Sequence, residues 1–161
     1  MEETKIEEQK KKVMVAIDES ECSHYALQWA LDNLHHTITD SELVILTVQP
    51  VADFAYLYAS TFGVTPSDLI KSMQETQKKV AQGLLERAKA MCAEHGIVVE
   101  ALTQAGEPKD IICDTVEKLK IQLLILGSHS RGAIQRAFVG SVSSYCVNNA
   151  KCAVLVVKKP A

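Results

Sequence analysis

Five short apolar runs constrain this chain more than any other feature: residues 13–17 (VMVAI), 43–48 (LVILTV), 98–102 (VVEAL), 123–126 (LLIL) and 153–157 (AVLVV). A strand with one wet face alternates apolar and polar residues. A strand apolar at nearly every position is covered on both faces, as in a parallel sheet sandwiched by helices. The stretches between the runs carry helical signals. Ala26, Leu27, Ala30, Leu31 and Leu34 form a stripe at helical spacing, with Ser20 and Ser23 offering N-cap hydroxyls. Thr65, Pro66, Ser67 and Asp68 read as a helix start, and the helix continues through Met73, Val80, Leu84, Ala88 and Met91 to a stop near His95 and Gly96. Glu107 and Pro108 open another helix, carrying Ile111, Ile112, Val116 and Leu119; a short one is expected over residues 141–149. The order is β-α-β-α-β-α-β-α-β. It argues for an α/β fold, a doubly wound, five-stranded parallel sheet with helices on both faces; right-handed crossovers leave few strand orders, of which 3-2-1-4-5 is the expectation.

With 161 residues the chain has about one domain's length, on the usual ~100–200 residues per domain. Residues 1–11 are charged and read as a flexible tail, leaving 12–161 as the folded domain. The tail has no apolar core of a signal peptide, and no apolar run approaches the ~20 residues that span a bilayer. A net charge of −3 gives no electrostatic footprint for nucleic acid. Cys22, Cys92, Cys113, Cys146 and Cys152 are odd in number, scattered and free of a Cys-x-x-Cys pair, against a disulfide framework or a zinc site. They read as reduced, buried or half-buried thiols, with a redox-sensing role open but no residue singled out. A cytoplasmic location, with access to the nucleus left open, is the expectation. Residues 49–66 read as a loop whose Phe54, Tyr56, Tyr58 and Phe62 form either a lid or a packing insert.

A doubly wound sheet takes ligands beyond the carboxyl ends of its strands, where the strand order reverses. The segments after the first and fourth runs are therefore the candidates: residues 16–20 (AIDES) and 127–132 (GSHSRG). The second is unusual. Of seven glycines, Gly127, Gly132 and Gly140 fall within fourteen residues, as do two of the three arginines, Arg131 and Arg136. Glycines after a strand let backbone approach a ligand closely. Gly140 and Ser141 then open a helix whose free N–H groups favour an anion. Ser141 and Ser143 add hydroxyls. Every component of a phosphate cradle is present, although the glycines would equally serve to shape a long connection. Ala133 and Ile134 stand where a Walker A loop needs Lys and Ser or Thr, and no G-x-G-x-x-G follows the first run.

The spacing Gly127-x-x-Ser130-x9-Gly140-Ser141 resembles the G-x-x-G-x9-G-[ST] pattern of ATP-binding members of the universal stress protein family, in its plant single-domain form. Ser130 stands where the pattern has its second glycine. Residues 13–20, Ala26, Leu27, Trp29 and Ala30 are similar to that family's first strand, acidic turn and helix. Residues 140–146 are similar to its last helix, and the likeness extends over about residues 12–157. The resemblance implies a site for ATP, ADP or AMP. Ala16, Ile17, Asp18 and Val48 would flank adenine and ribose. Gly127, Ser128, His129, Arg131 and Gly132 would line the phosphates on one side, with Gly140, Ser141, Val142 and Ser143 on the other. Asp18 would accept from ribose hydroxyls or the base amine; alternatively it is a helix N-terminal acid satisfied by backbone amides. His129 is a phosphate donor or merely a solvent-facing loop histidine. Mg2+, if it accompanies ATP, would be held through phosphate oxygens and water. The family also implies a homodimer paired through the last strand, Ala153–Val157, unless Lys158, Lys159 and Pro160 blunt that edge.

The function so implied is adenine-nucleotide binding by a stress-response sensor or regulatory module without membrane or nucleic-acid partners. Slow ATP hydrolysis is one alternative. Against it, no G-x-S-x-G nucleophile elbow occurs and no second acid is evidently placed to order a water or metal near Asp18. The other is a family member that works through protein contacts or as a chaperone, without nucleotide.

Overall fold

The computed structural model describes residues 10–50, 67–128 and 140–160. Within them lie five strands and five helices: β1 (Lys12–Ile17), α1 (Glu21–Asn33), α2 (His35–Thr39), β2 (Glu42–Gln49), α3 (Ser67–Glu94), β3 (Val99–Ala105), α4 (Pro108–Leu119), β4 (Leu123–Gly127), α5 (Ser141–Asn149) and β5 (Ala153–Val157). The strands form one parallel sheet of the expected order, β3-β2-β1-β4-β5. The aromatic segment and most of the glycine-rich segment lie outside the described residues, as does the start of the tail.

The two-residue period of β1 divides its side chains between two cores. Val13, Val15 and Ile17 join Leu43, Ile45 and Ile125 under α1 and α3, with Ala26, Leu27, Leu31, Ala88 and Cys92. Met14 and Ala16 join Val44, Leu46, Leu124 and Leu126 under α4 and α5, with Ile112, Val116 and Cys146. Burying both faces is why β1, β2 and β4 need apolar residues at every position. β3 and β5 are the edges, and their burial is correspondingly partial.

Local signals set the element ends. Ser20 caps α1: its Oγ accepts from the Ser23 N–H at 3.2 Å. α3 stops in a Schellman motif, with Gly96 at φ +70°, its N–H donating to the Ala93 carbonyl and the Ile97 N–H to that of Cys92. α4 stops in the same motif with Lys120 in the left-handed position at φ +55°.

Two differences from the sequence reading have physical causes. β3 begins at Val99 and runs to Ala105 rather than over 98–102. Val98, just before the strand, is 94% exposed, so its apolar side chain marks no buried position. The helix α2, absent from the sequence reading, is five residues long and buries only Ile38, too short for a periodic stripe.

Candidate functional site

A cavity of about 790 Å³ opens at the carboxyl ends of β1, β2 and β4, at the reversal of strand order between β1 and β4. Its size is within the range of small-molecule sites. Of the sequence-predicted residues, Ala16, Ile17, Asp18, Val48, Gly127, Ser141, Val142 and Ser143 line it. Ser128 is buried just behind, its N–H donating to the Val157 carbonyl and its carbonyl accepting from the Gly140 N–H. His129, Arg131 and Gly132 lie outside the described residues.

The turn after β1 is built around Asp18. Its Oδ1 accepts from the Ser20 N–H at 2.8 Å and from the Ser20 hydroxyl, a side-chain-to-backbone turn that sets up the α1 cap. Its N–H donates to Ser23 Oγ at 3.1 Å. The carboxylate thus shapes the turn and also faces the cavity. Glu19 and Glu107 line the cavity as well. No Lys or Arg lines the cavity among the described residues.

The two helix N-termini nearest Asp18 and Gly127 differ. That of α1 is satisfied by Ser20. That of α5 has Gly140 as N-cap and no side-chain cap, and its first intrahelical bond runs from the Ser144 N–H to the Gly140 carbonyl. The N–H groups of Ser141, Val142 and Ser143 thus precede the helix's own ladder, at the cavity wall, with the positive end of the helix dipole. The Ser143 hydroxyl is committed elsewhere. It donates toward the Gly127 and Ser128 carbonyls, at 3.2 and 3.3 Å, pinning α5 to the end of β4.

Gly127 is required by packing. A Cβ there would stand 2.7 Å from the Cys22 carbonyl carbon and oxygen and 2.9 Å from the Ser23 nitrogen. The end of β4 thus touches the first turn of α1, which brings the two candidate segments together.

Sequence reasoning missed one whole wall. Ser72, Met73, Thr76, Gln77, Val80 and Leu84 of α3 line the cavity, and the Gln49 amide ties β2 to that wall through the Gln77 carbonyl at 3.0 Å. Helix length was the available signal. Twenty-eight residues rise about 42 Å, whereas an eight-residue strand spans about 26 Å. The first turns of α3 therefore overhang the sheet. Pro108 and Ile112 of α4, and Thr47 of β2, also line it. Among the described residues no group of three or more His, Cys, Asp or Glu side chains could hold a metal ion, and no helix is long and apolar enough to cross a membrane.

Comparison with known proteins gives three concordant findings. The family model described as universal stress protein family matches residues 10–158. A universal stress protein A-like protein from Arabidopsis thaliana is 32% identical over 160 residues, covering 93% of this chain and 91% of that one. Among solved structures, a universal stress protein family protein from Arabidopsis thaliana with AMP bound superposes with a TM-score of 0.68 at 27% identity, covering 94% and 93% of the two chains. A universal stress protein in complex with cAMP shares the fold, with a TM-score of 0.65 at 21% identity and coverage of 92% and 97%.

Proposed function

Because this chain belongs to the universal stress protein family, we propose that its cavity binds an adenine nucleotide, with ATP the ligand that the Gly127-x-x-Ser130-x9-Gly140-Ser141 spacing favours. What supports this reading is the N-terminus of α5, without a side-chain cap among the described residues, at the wall of a cavity that is otherwise largely apolar. A nucleotide matches that combination: a flat ring for the apolar part and an anion for the helix end. In this reading Ala16, Ile17 and Val48 contact the base and Asp18 accepts from a ribose hydroxyl. The Ser141, Val142 and Ser143 N–H groups meet phosphate oxygens. His129, Arg131, Gly132 and the Gly127–Ser128 turn supply the other side of the cradle. Mg2+, where it accompanies ATP, is held by phosphate oxygens and water.

The AMP bound to the Arabidopsis relative supports the ligand class. The half-buried apolar edge of β5 supports a homodimer paired through Ala153–Val157. Ligand binding without turnover makes the protein a sensor or regulatory module of a stress response, acting in the cytoplasm. Native mass spectrometry of the purified protein tests ligand and assembly together. A dimer carrying one adenine nucleotide per chain is expected. A protein that stays bare after incubation with AMP, ADP or ATP contradicts the reading.

A further inference from the structure

On the face of the sheet under α4 and α5, three of the five cysteines gather. Cys146 of α5 is buried in that core, and Cys113 of α4 and Cys152 pack against it. Cys92 belongs to the opposite core, and Cys22 sits on α1. The Sγ atoms of Cys113 and Cys146 are 4.0 Å apart, in direct contact. A disulfide needs about 2.05 Å, so closing it draws two sulfurs already in contact about 2 Å nearer. We propose that Cys113 and Cys146 form a reversible oxidation site, closing to an intramolecular disulfide that staples α4 to α5.

The chemistry assigns the two thiols different roles. Burial pushes Cys146 up to about 12. It raises Cys113 too, but there the contact with the Cys146 thiol works the other way. Cys113, the less buried of the two, is therefore the first to present a thiolate. A peroxide oxidises it: the sulfur attacks one peroxide oxygen, the O–O bond breaks, and hydroxide leaves to become water. The Cys146 sulfur then attacks the resulting sulfenic acid. An S–S bond forms, the S–O bond breaks, and the hydroxide leaves as a second water with the Cys146 proton. Two thiols and one hydrogen peroxide give one disulfide and two waters. Scarcity of thiolate makes the pair slow, so it answers sustained oxidation rather than brief exposure.

The staple would also touch the cavity. Cys113 follows the lining residue Ile112, and Cys146 lies one helical turn beyond the lining residue Val142. The oxidation site stands whether or not that cavity takes a nucleotide.

Trypsin separates the three clustered thiols into residues 110–118, 137–151 and 152–158. Full-length protein is treated with hydrogen peroxide, unfolded, alkylated and mapped without reductant. A linked pair of 110–118 with 137–151 is expected, reversed by dithiothreitol. It disappears in Cys146→Ala and persists in Cys152→Ala. The oxidised chain melts about 5–10 °C higher than the reduced one, as closing a loop of this length implies. Linkage of 110–118 to 152–158 or to a second chain overturns the proposal. So do free, alkylatable Cys113 and Cys146 after prolonged treatment, or a melting point that oxidation leaves unchanged or lowers.

Discussion

At the end of β4, Gly127 lies against the Cys22–Ser23 peptide with no room for a methyl group. Gly127→Ala must push backbone against backbone, an overpacking cost of about 1–3 kcal/mol. Its melting temperature is expected to drop by about 3–10 °C, measured with no ligand present; an unchanged value means the contact yields freely. His24 is a second residue under tension. It is buried, and neither ring nitrogen makes a well-formed hydrogen bond among the described residues. Burial lowers its pKa, with help from Arg87, while Glu21 and Asp18 pull the other way and lose. The unfolded chain therefore takes up a proton near pH 6.5 that the folded chain refuses. Stability from this residue is present above that pH and declines as pH falls toward the lowered value. His95 acts oppositely: the Met91 carbonyl and Asp32 raise its pKa, so its contribution is full below pH 6.5 and fades as pH rises through the raised value. The contributions separate in urea unfolding at pH 7.5 and 5.5. His24→Leu is expected to lose less stability on acidification than wild type; equal losses contradict a neutral buried His24.

The elements differ in how much of them the sequence revealed. β1, β2, β4 and α5 were legible because each carries an unmixed signal: a fully apolar run, or a glycine followed by a polar helix start. The first turns of α3 were not read as cavity wall, because Met73, Val80 and Leu84 continue the same stripe as the core residue Ala88. Periodicity tells which side of a helix is apolar. It does not tell where the sheet beneath it ends. The Ser143 hydroxyl shows a similar limit, since its partners are carbonyls of the distant residues Gly127 and Ser128. The matched ends of α3 and α4 offer a test. Gly96 occupies the left-handed position in one and Lys120 in the other. A side chain there is strained, so Lys120→Gly is expected to stabilise the protein by about 0.5–1 kcal/mol. Equilibrium unfolding reads this directly, and a loss of stability contradicts the assignment.

For the whole molecule, the doubly wound topology does two things at once. It brings the turn after β1 and the start of α5 to one cavity, and it leaves β5 as an edge. Val154, Leu155 and Val156 are half-buried there, which suits pairing with a second copy. Val156→Asp places a charge on that edge. It is expected to sediment as a monomer while wild type sediments as a dimer, with circular dichroism confirming an intact fold; identical sedimentation of the two contradicts pairing through β5.

Calorimetry tests whether the cavity holds an adenine nucleotide with its phosphates at the start of α5. ATP and AMP are titrated calorimetrically into wild type and into Gly140→Val, which puts a branched side chain at the N-cap of α5. The expected result is one nucleotide per wild-type chain and at least a tenfold loss of affinity in the variant, with both proteins folded. Wild type that binds neither nucleotide, or a folded variant that binds as tightly as wild type, contradicts the account.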